Sequence, residues 1–249
     1  MKKEITLTVF LNDQVEEIVT AEVEKIAENY GVSFFKSVSK TYEFDELSDD
    51  AKKTAIENHR DFIIFDNWYE YTIEMWKEKL ESIGFEDADI RFSGFCSQGD
   101  GASFTARCDT QKLLNTLLIC QGKHIGDYKK WRLWFELAEN GLIKLDMYRK
   151  THQYSHEYTV DGILTEDFSG LNNRMWKEKV PGSFSYWSVF ENKTQLRELE
   201  ESFNYLCVSL FKKIYSDLEE EYWYLQKDEV VGESLQSNEF EFDEFGNDA

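Results

Sequence analysis

The stretch FSGFCSQGDGASF, Phe92 to Phe104, decides how the middle of this chain folds. Its two spaced glycines, Gly99 and Gly101, pose a choice between a phosphate-binding loop and a turn. A dinucleotide-type loop needs three spaced glycines after a strand, with a helix N-terminus behind them whose N–H groups converge on the anion. Phe104 occupies the third glycine position, and the ASFTARCD that follows the turn has the alternation of a strand. Ile90, Phe92 and Cys96 before the turn, and Ala102, Phe104, Ala106 and Cys108 after it, make apolar faces with Ser, Thr and Arg opposite. The reading is a β-hairpin, with Gly99 and Gly101 expected at positive φ and Asp100 expected to bond the backbone of the turn. Gln98 and Asp100 are displayed at its tip, where loops on a rigid scaffold carry function.

On either side of the hairpin the spacing reads as helix. Upstream, WYEYTIEMWKEKLESIG puts Tyr69, Ile73, Trp76, Leu80 and Ile83 on one stripe and closes on Gly84. Before it, FDELSDDAKKTAIENH offers Ser48 or Asp49 as N-cap, with acids in the first turn where the helix dipole favours them. Downstream, TQKLLNTLLICQG starts at Asp109 or Thr110 and ends at Gly122. Beyond that, RLWFELAENGLIKLDMYRK reads as a second hairpin turning at Asn140-Gly141, and YSHEYTVDGIL adds a strand. From Thr194 to about Gln226 the positions Leu196, Leu199, Phe203, Leu206, Leu210, Ile214, Leu218, Tyr222 and Leu225 sustain one helical stripe.

The chain opens with an alternating strand, ITLTVFL, then the helix VEEIVTAEVEKIAENYG and a further strand. Residues 1–40 read as a β-α module, standing alone or packed on the main α+β domain at 41–249, which ends in an acidic segment. The expected fold is α+β, an antiparallel β-sheet built from hairpins with several packed helices and a long C-terminal helix. The N-terminal apolar run is too short and too polar for a signal peptide, and no stretch has the apolar length of a membrane span. A cytoplasmic protein with no membrane partner is expected. The four cysteines contain no CxxC pair and read as buried thiols.

Charge bounds the function. The 249 residues hold 49 acids and 28 bases, a net charge of −21. Such a field disfavours direct nucleic-acid binding and attracts a partner with a basic surface. From Ser216 to the end there are twelve acids and one lysine. The tail NEFEFDEFGNDA alternates Phe240, Phe242 and Phe245 with acids, as an edge strand or as a segment that folds on a partner.

No complete catalytic constellation is present. THQYSHEYT brings His152, His156 and Glu157 together, but Gln153 stands where a zincin carries glutamate, and the flanking tyrosines favour strand or loop. His152 and His156 are the only weak metal candidates, so neither a metal nor a cofactor is expected. Ser97 and Cys96 lack a nucleophile elbow and a histidine placed as base. Of the consecutive Tyr222, Trp223 and Tyr224, at least one must leave the helical core face. Trp223 and Tyr224, beside glutamates, are the expected partner contacts.

The stretches TYEFDELSDDAKKTAIENH, DIRFSGFCSQGDGASFTA and KKIYSDLEEEYWYLQKDEVVGESLQSNEFEFDEFG together resemble a family of uncharacterised tailed-phage accessory proteins, some labelled antitoxin-like. The resemblance spans Thr41 to Gly246. It implies phage provenance, and with the net charge of −21 and no complete catalytic constellation the expectation is a phage-encoded acidic protein that binds and inhibits a host protein, such as one of anti-phage defence or nucleic-acid handling, without catalysis. The alternative is a protein that binds or hydrolyses a nucleotide or small molecule at the SQGDG turn.

Overall fold

The computed structural model describes residues 40–62, 64, 67–120, 128–151, 153–168 and 193–249. The expected strand and helix before residue 40, and Gly122, His124, His152 and Pro181, lie outside the described residues. Among those described, the fold is mixed α+β, with six α-helices and six strands. The strands form three separate two-stranded antiparallel sheets, β1 (Tyr42–Glu43) with β6 (Glu241–Phe242), β2 (Phe85–Ser93) with β3 (Gly101–Cys108) and β4 (Ile143–Arg149) with β5 (Val160–Glu166), where the sequence suggested one antiparallel sheet. The chain divides into two compact units, one combining the residues before Asn67 with Tyr224–Ala249, the other spanning Asn67–Trp223.

The larger unit begins with α2 (Glu70–Ile83), which buries Thr72, Trp76 and Leu80 and ends on Gly84 in the left-handed region, as its sequence predicts. Directly after it, β2 (Phe85–Ser93) pairs with β3 (Gly101–Cys108) from Phe85↔Cys108 to Ser93↔Gly101. This is the hairpin read from the sequence. Its ladder is interrupted between Glu86 and Asp89, where Asp87 takes φ 52°. Two residues of β2 there oppose one of β3, a β-bulge that lets Ala88 turn inward.

Helix α3 (Thr110–Cys120) is capped by Asp109, whose Oδ1 accepts from the N–H groups of Gln111 and Lys112, both at 3.1 Å. Leu113, Leu114 and Leu117 are buried, while Cys120 is exposed. Cys96 is exposed as well, so two of the four thiols contradict the buried reading: Cys96 lies in the loop between the two strands, and Cys120 is the last residue of α3, at the end of its buried row.

The second expected hairpin is overturned. Residues Tyr128–Glu139 form α4, and Asn140-Gly141 ends that helix rather than joining two strands. Gly141 N–H donates to Ala138 C=O at 3.0 Å and Leu142 N–H to Leu137 C=O at 2.8 Å, with Gly141 at φ 67°. These are the two bonds of a Schellman cap, and the flanking Leu137 and Leu142 are both buried, as that motif requires. The real partner of β4 (Ile143–Arg149) is β5 (Val160–Glu166), in register from Ile143↔Glu166 to Arg149↔Val160.

Helix α5 (Lys193–Leu225) runs 33 residues. Its deepest row is Leu199, Phe203, Cys207, Phe211, Ile214 and Leu218; Cys207 and Phe211 take the places the sequence assigned to Leu206 and Leu210. On α5, Asn204 and Glu200 accept from the β5 N–H groups of Gly162 and Leu164 at 3.0 and 3.1 Å. Edge donors that β4 does not use are thereby satisfied. Phe85 packs on Phe104 at 5.1 Å and on Phe203 at 6.0 Å, and Phe104 on Phe211 at 5.1 Å, so four fully buried rings tie the first hairpin to α5. Each such burial contributes roughly 1.5–3 kcal/mol of transfer free energy.

The smaller unit holds β1 (Tyr42–Glu43), a 3-10 turn (Phe44–Glu46), α1 (Asp49–His59), α6 (Asp228–Ser237) and β6 (Glu241–Phe242). Ser48 caps α1, its Oγ accepting from Ala51 N–H at 3.3 Å. Leu47, Ala51, Ala55, Val231, Leu235 and Phe242 form its core. Here the tail behaves as an edge strand: Phe242 is buried opposite Tyr42, whereas Phe245 is left 65 % exposed. His59 is buried in a cage of Phe62, Phe240 and Phe242, with Nδ1 on Ala55 C=O at 2.8 Å and Nε2 on Asp248 at 2.9 Å.

Candidate functional site

The loop 94–100 at the tip of the first hairpin is closed on itself. Asp100 Oδ2 accepts from Cys96 N–H at 2.8 Å and Ser97 N–H at 2.6 Å, and Ser97 C=O accepts from Gly99 N–H at 2.9 Å and Asp100 N–H at 3.1 Å. Four of its backbone donors are spent inside the loop, so it offers no concave nest of N–H groups to an anion. That answers the question posed by SQGDG: Asp100 builds a turn, and the turn is not a phosphate cradle. Gln98 is exposed at the tip.

The glycines serve a different purpose from the one expected. Among the described glycines, positive φ occurs at Gly84, Gly141 and Gly246, not at Gly99 or Gly101. Gly101 is required for proximity, since a Cβ there would lie 2.5 Å from the Cβ of His156. The two stretches singled out in the sequence, SQGDG and THQYSHEYT, are therefore in contact.

Hydroxyls fasten this contact. Ser93 Oγ donates to Ser155 C=O at 3.3 Å, and the buried hydroxyls of Ser103 and Thr159 meet at 3.1 Å. Ser103, expected on a solvent face of its strand, is fully buried because this segment covers it. His156 Nδ1 accepts from Tyr158 N–H at 3.1 Å, which places the proton of the neutral ring on Nε2. Among the described residues, no group of three or more His, Cys, Asp or Glu is arranged to hold a metal ion.

Beside the loop lies a cluster of half-buried aromatic rings. Phe95 is its hub, at 5.7 Å from Phe92, 5.9 Å from Trp68, 5.4 Å from Tyr215 and 4.9 Å from Tyr222. Tyr222 also meets Trp68 at 5.6 Å and Trp223 at 5.1 Å. Trp223 is 47 % exposed, and Tyr224, with Lys227 Nζ over its ring at 5.3 Å, is 52 % exposed. The Tyr215 phenol is pushed above its ordinary range first by burial, then by the charges of Glu219, Asp100, Cys96 and Glu157. The cluster thus combines partly exposed rings with carboxylate charges that act on the Tyr215 phenol. Phe95 and Tyr215 were not picked out in the sequence. A phenylalanine inside the otherwise polar GFCSQGDG was the available signal for Phe95, since water does not favour a lone ring in a turn.

In the smaller unit a cleft of about 410 Å³ lies between the 3-10 turn and the end of α6, lined by Phe44, Leu235 and Phe240 and by Glu43, Asp45, Glu239 and Glu241. Glu43 and Glu241 stand directly opposite each other across β1 and β6. Among the described residues, no helix is long and apolar enough to cross a membrane.

A family model described as a domain of unknown function (DUF8835) matches residues 68–228, more than half of the chain. The match begins at Trp68 of the aromatic cluster and takes in the first hairpin, the 150–159 segment and Trp223. No curated protein and no solved structure matches the chain.

Proposed function

We propose that this chain, which belongs to the family described as a domain of unknown function (DUF8835), is an acidic phage-encoded accessory protein that binds and inhibits a host protein without catalysis. The observation that carries this reading is the ring cluster of Trp68, Phe95, Tyr215, Tyr222 and Trp223, with the charges of Glu219, Asp100 and Glu157 acting on the Tyr215 phenol. Half-buried rings on packed elements lose little conformational freedom on binding, so they suit an interface hot spot. The carboxylates select a partner with a basic surface, and a net charge of −21 speeds its approach. Phage provenance and the inhibitory role rest on the motif resemblance over Thr41 to Gly246. Cytoplasmic action follows from the same resemblance.

A small-molecule site at the SQGDG turn has less support. The turn's N–H groups are bonded within it, which leaves only side chains such as Gln98 for a ligand.

The test is capture from host lysate with tagged wild-type protein and with Trp223→Ala. A single stoichiometric basic protein, lost with Trp223→Ala and inhibited when the purified chain is added, is the expected result. Its association rate should fall as salt rises above about 0.15 M, where the Debye length is about 8 Å. Retention of the partner by Trp223→Ala together with a salt-independent rate would refute the assignment of the patch.

A further inference from the structure

Arg149 closes the inward-facing row of β4 after Ile143, Leu145 and Met147. Strand alternation therefore sends its partly exposed side chain toward the packed side of the β4–β5 pair. There its Nη2 is buried and meets no hydrogen-bond acceptor among the described residues. Arginine keeps its proton, so the group is a cation with a buried, unused donor, an arrangement that is costly unless an anion completes it. In a chain with 49 acids the absence of a paired carboxylate is not a matter of supply.

The charges facing it sharpen the point. Burial, and after it the positive charge of Arg91, push the Arg149 pKa below the ordinary arginine range, while Asp89 acts in the opposite direction. Asp89 does not pair with Arg149, because its Oδ2 receives both Arg91 Nε at 2.8 Å and Arg91 Nη2 at 2.7 Å. Two guanidiniums are thus held within electrostatic reach of each other, and the Asp89 carboxylate that acts on both is already bonded to Arg91.

Topology explains how they meet. Arg91 lies opposite Ser103 in the first hairpin, and the Ser103 hydroxyl contacts that of Thr159. Thr159 C=O accepts from Lys150 N–H at 2.8 Å, one step beyond the Arg149↔Val160 pair of β4 and β5. Both arginines therefore flank the seam that the buried hydroxyl pair fixes between the hairpins.

We propose that Arg149 and Arg91 form a binding site for a phosphate group at this seam. A phosphate dianion matches what the seam lacks: it offers several acceptor oxygens to a planar donor fork and enough charge to offset two guanidiniums beside one carboxylate. The site is distinct from the SQGDG turn, whose own donors are spent, and from the aromatic patch. The group is either free phosphate or the phosphate of a small phosphomonoester, since both present the same oxygens.

Calorimetric titration of the full chain at constant ionic strength tests this, using inorganic phosphate, a nucleoside 5′-monophosphate, and chloride as the reference anion. Saturable phosphate binding in the roughly millimolar range or tighter is expected, weakened about tenfold or more in Arg149→Gln, less in Arg149→Lys, and weakened also in Arg91→Gln. Tighter binding of the nucleotide than of phosphate assigns the group to a phosphomonoester; equal binding assigns it to free phosphate. Wild-type heats no different from chloride, or equal phosphate affinity in wild type and Arg149→Gln, overturn the proposal. Should Arg149→Gln not fold, Arg91→Gln, altered at a half-exposed side chain, decides by the same criterion.

Discussion

Gly101 sits against His156 with no space for a side chain: a Cβ on Gly101 would lie 2.5 Å from the Cβ and 2.8 Å from the Cα of His156. The backbone of β3 and the 150–159 segment are thereby locked at a single distance. Gly101→Ala should push that segment off the hairpin and cost about 1–3 kcal/mol, the range for overpacking a closed site. Urea unfolding gives the stability change, and amide exchange at Thr159, whose N–H donates to His156 C=O, should accelerate.

Phe104 and Trp223 should separate folding from binding. Phe104 is fully buried between Phe85 and Phe211, so Phe104→Ala should cost about 3–5 kcal/mol of stability. Trp223 is 47 % exposed, so Trp223→Ala should change stability by no more than about 0.5 kcal/mol yet weaken the partner complex by about 2 kcal/mol or more. Thermal melts of both variants beside a binding titration distinguish the two effects.

Thiol reactivity should divide the cysteines into two pairs. Burial, then Asp146, pushes Cys108 up to about 12, and burial raises Cys207 well above the thiol range. Both stay protonated and unreactive at about pH 8, whereas the exposed Cys96 and Cys120 react. A thiol-exchange reagent should modify two groups in the native chain and all four after denaturation.

Gly141→Ala tests the helix end. At φ 67° the new Cβ should cost about 1 kcal/mol and fray the last turn of α4. Loss of the Leu142 to Leu137 bond, read by amide exchange at Leu142, should accompany it.

Acid should loosen the C-terminal turn. Asp243 accepts from the backbone of Phe245 and Asn247 and from the Asn247 side chain, and these bonds, led by the Asn247 side chain, hold its pKa below the ordinary carboxylate value. A depressed folded pKa means the bonds stabilise the turn above the ordinary value of 3.8 and are lost as pH falls through the depressed one. Exchange at Phe245 and Asn247 should rise over that acid range and be fast at neutral pH in Asp243→Ala.

Local chemistry alone determined a large part of this protein. Gly84 stops α2, Ser48 and Asp109 start helices, the alternation through Phe92 and Phe104 pairs two strands, and the stripe from Leu196 to Leu218 runs one long helix. Each of these signals acts within a few residues, so neighbours in the chain suffice to read it. Asn140-Gly141 shows where that sufficiency ends. A left-handed glycine serves a hairpin turn and a helix cap equally, and only burial of Leu137 and Leu142 selects the cap.

The sites depend wholly on distant partners. Gly101 meets His156, Ser103 meets Thr159, Phe95 meets Tyr222, and Arg149 comes within reach of Arg91 only after two hairpins pack together. No periodicity encodes such meetings, because strand and helix patterns state which side of an element is apolar and not which element will cover it. Composition set the sign of the net charge. Tertiary packing decided which rings stay half-exposed and, among the described residues, which guanidinium nitrogen meets no acceptor, since those outcomes are set by shape and by what each covering segment brings with it.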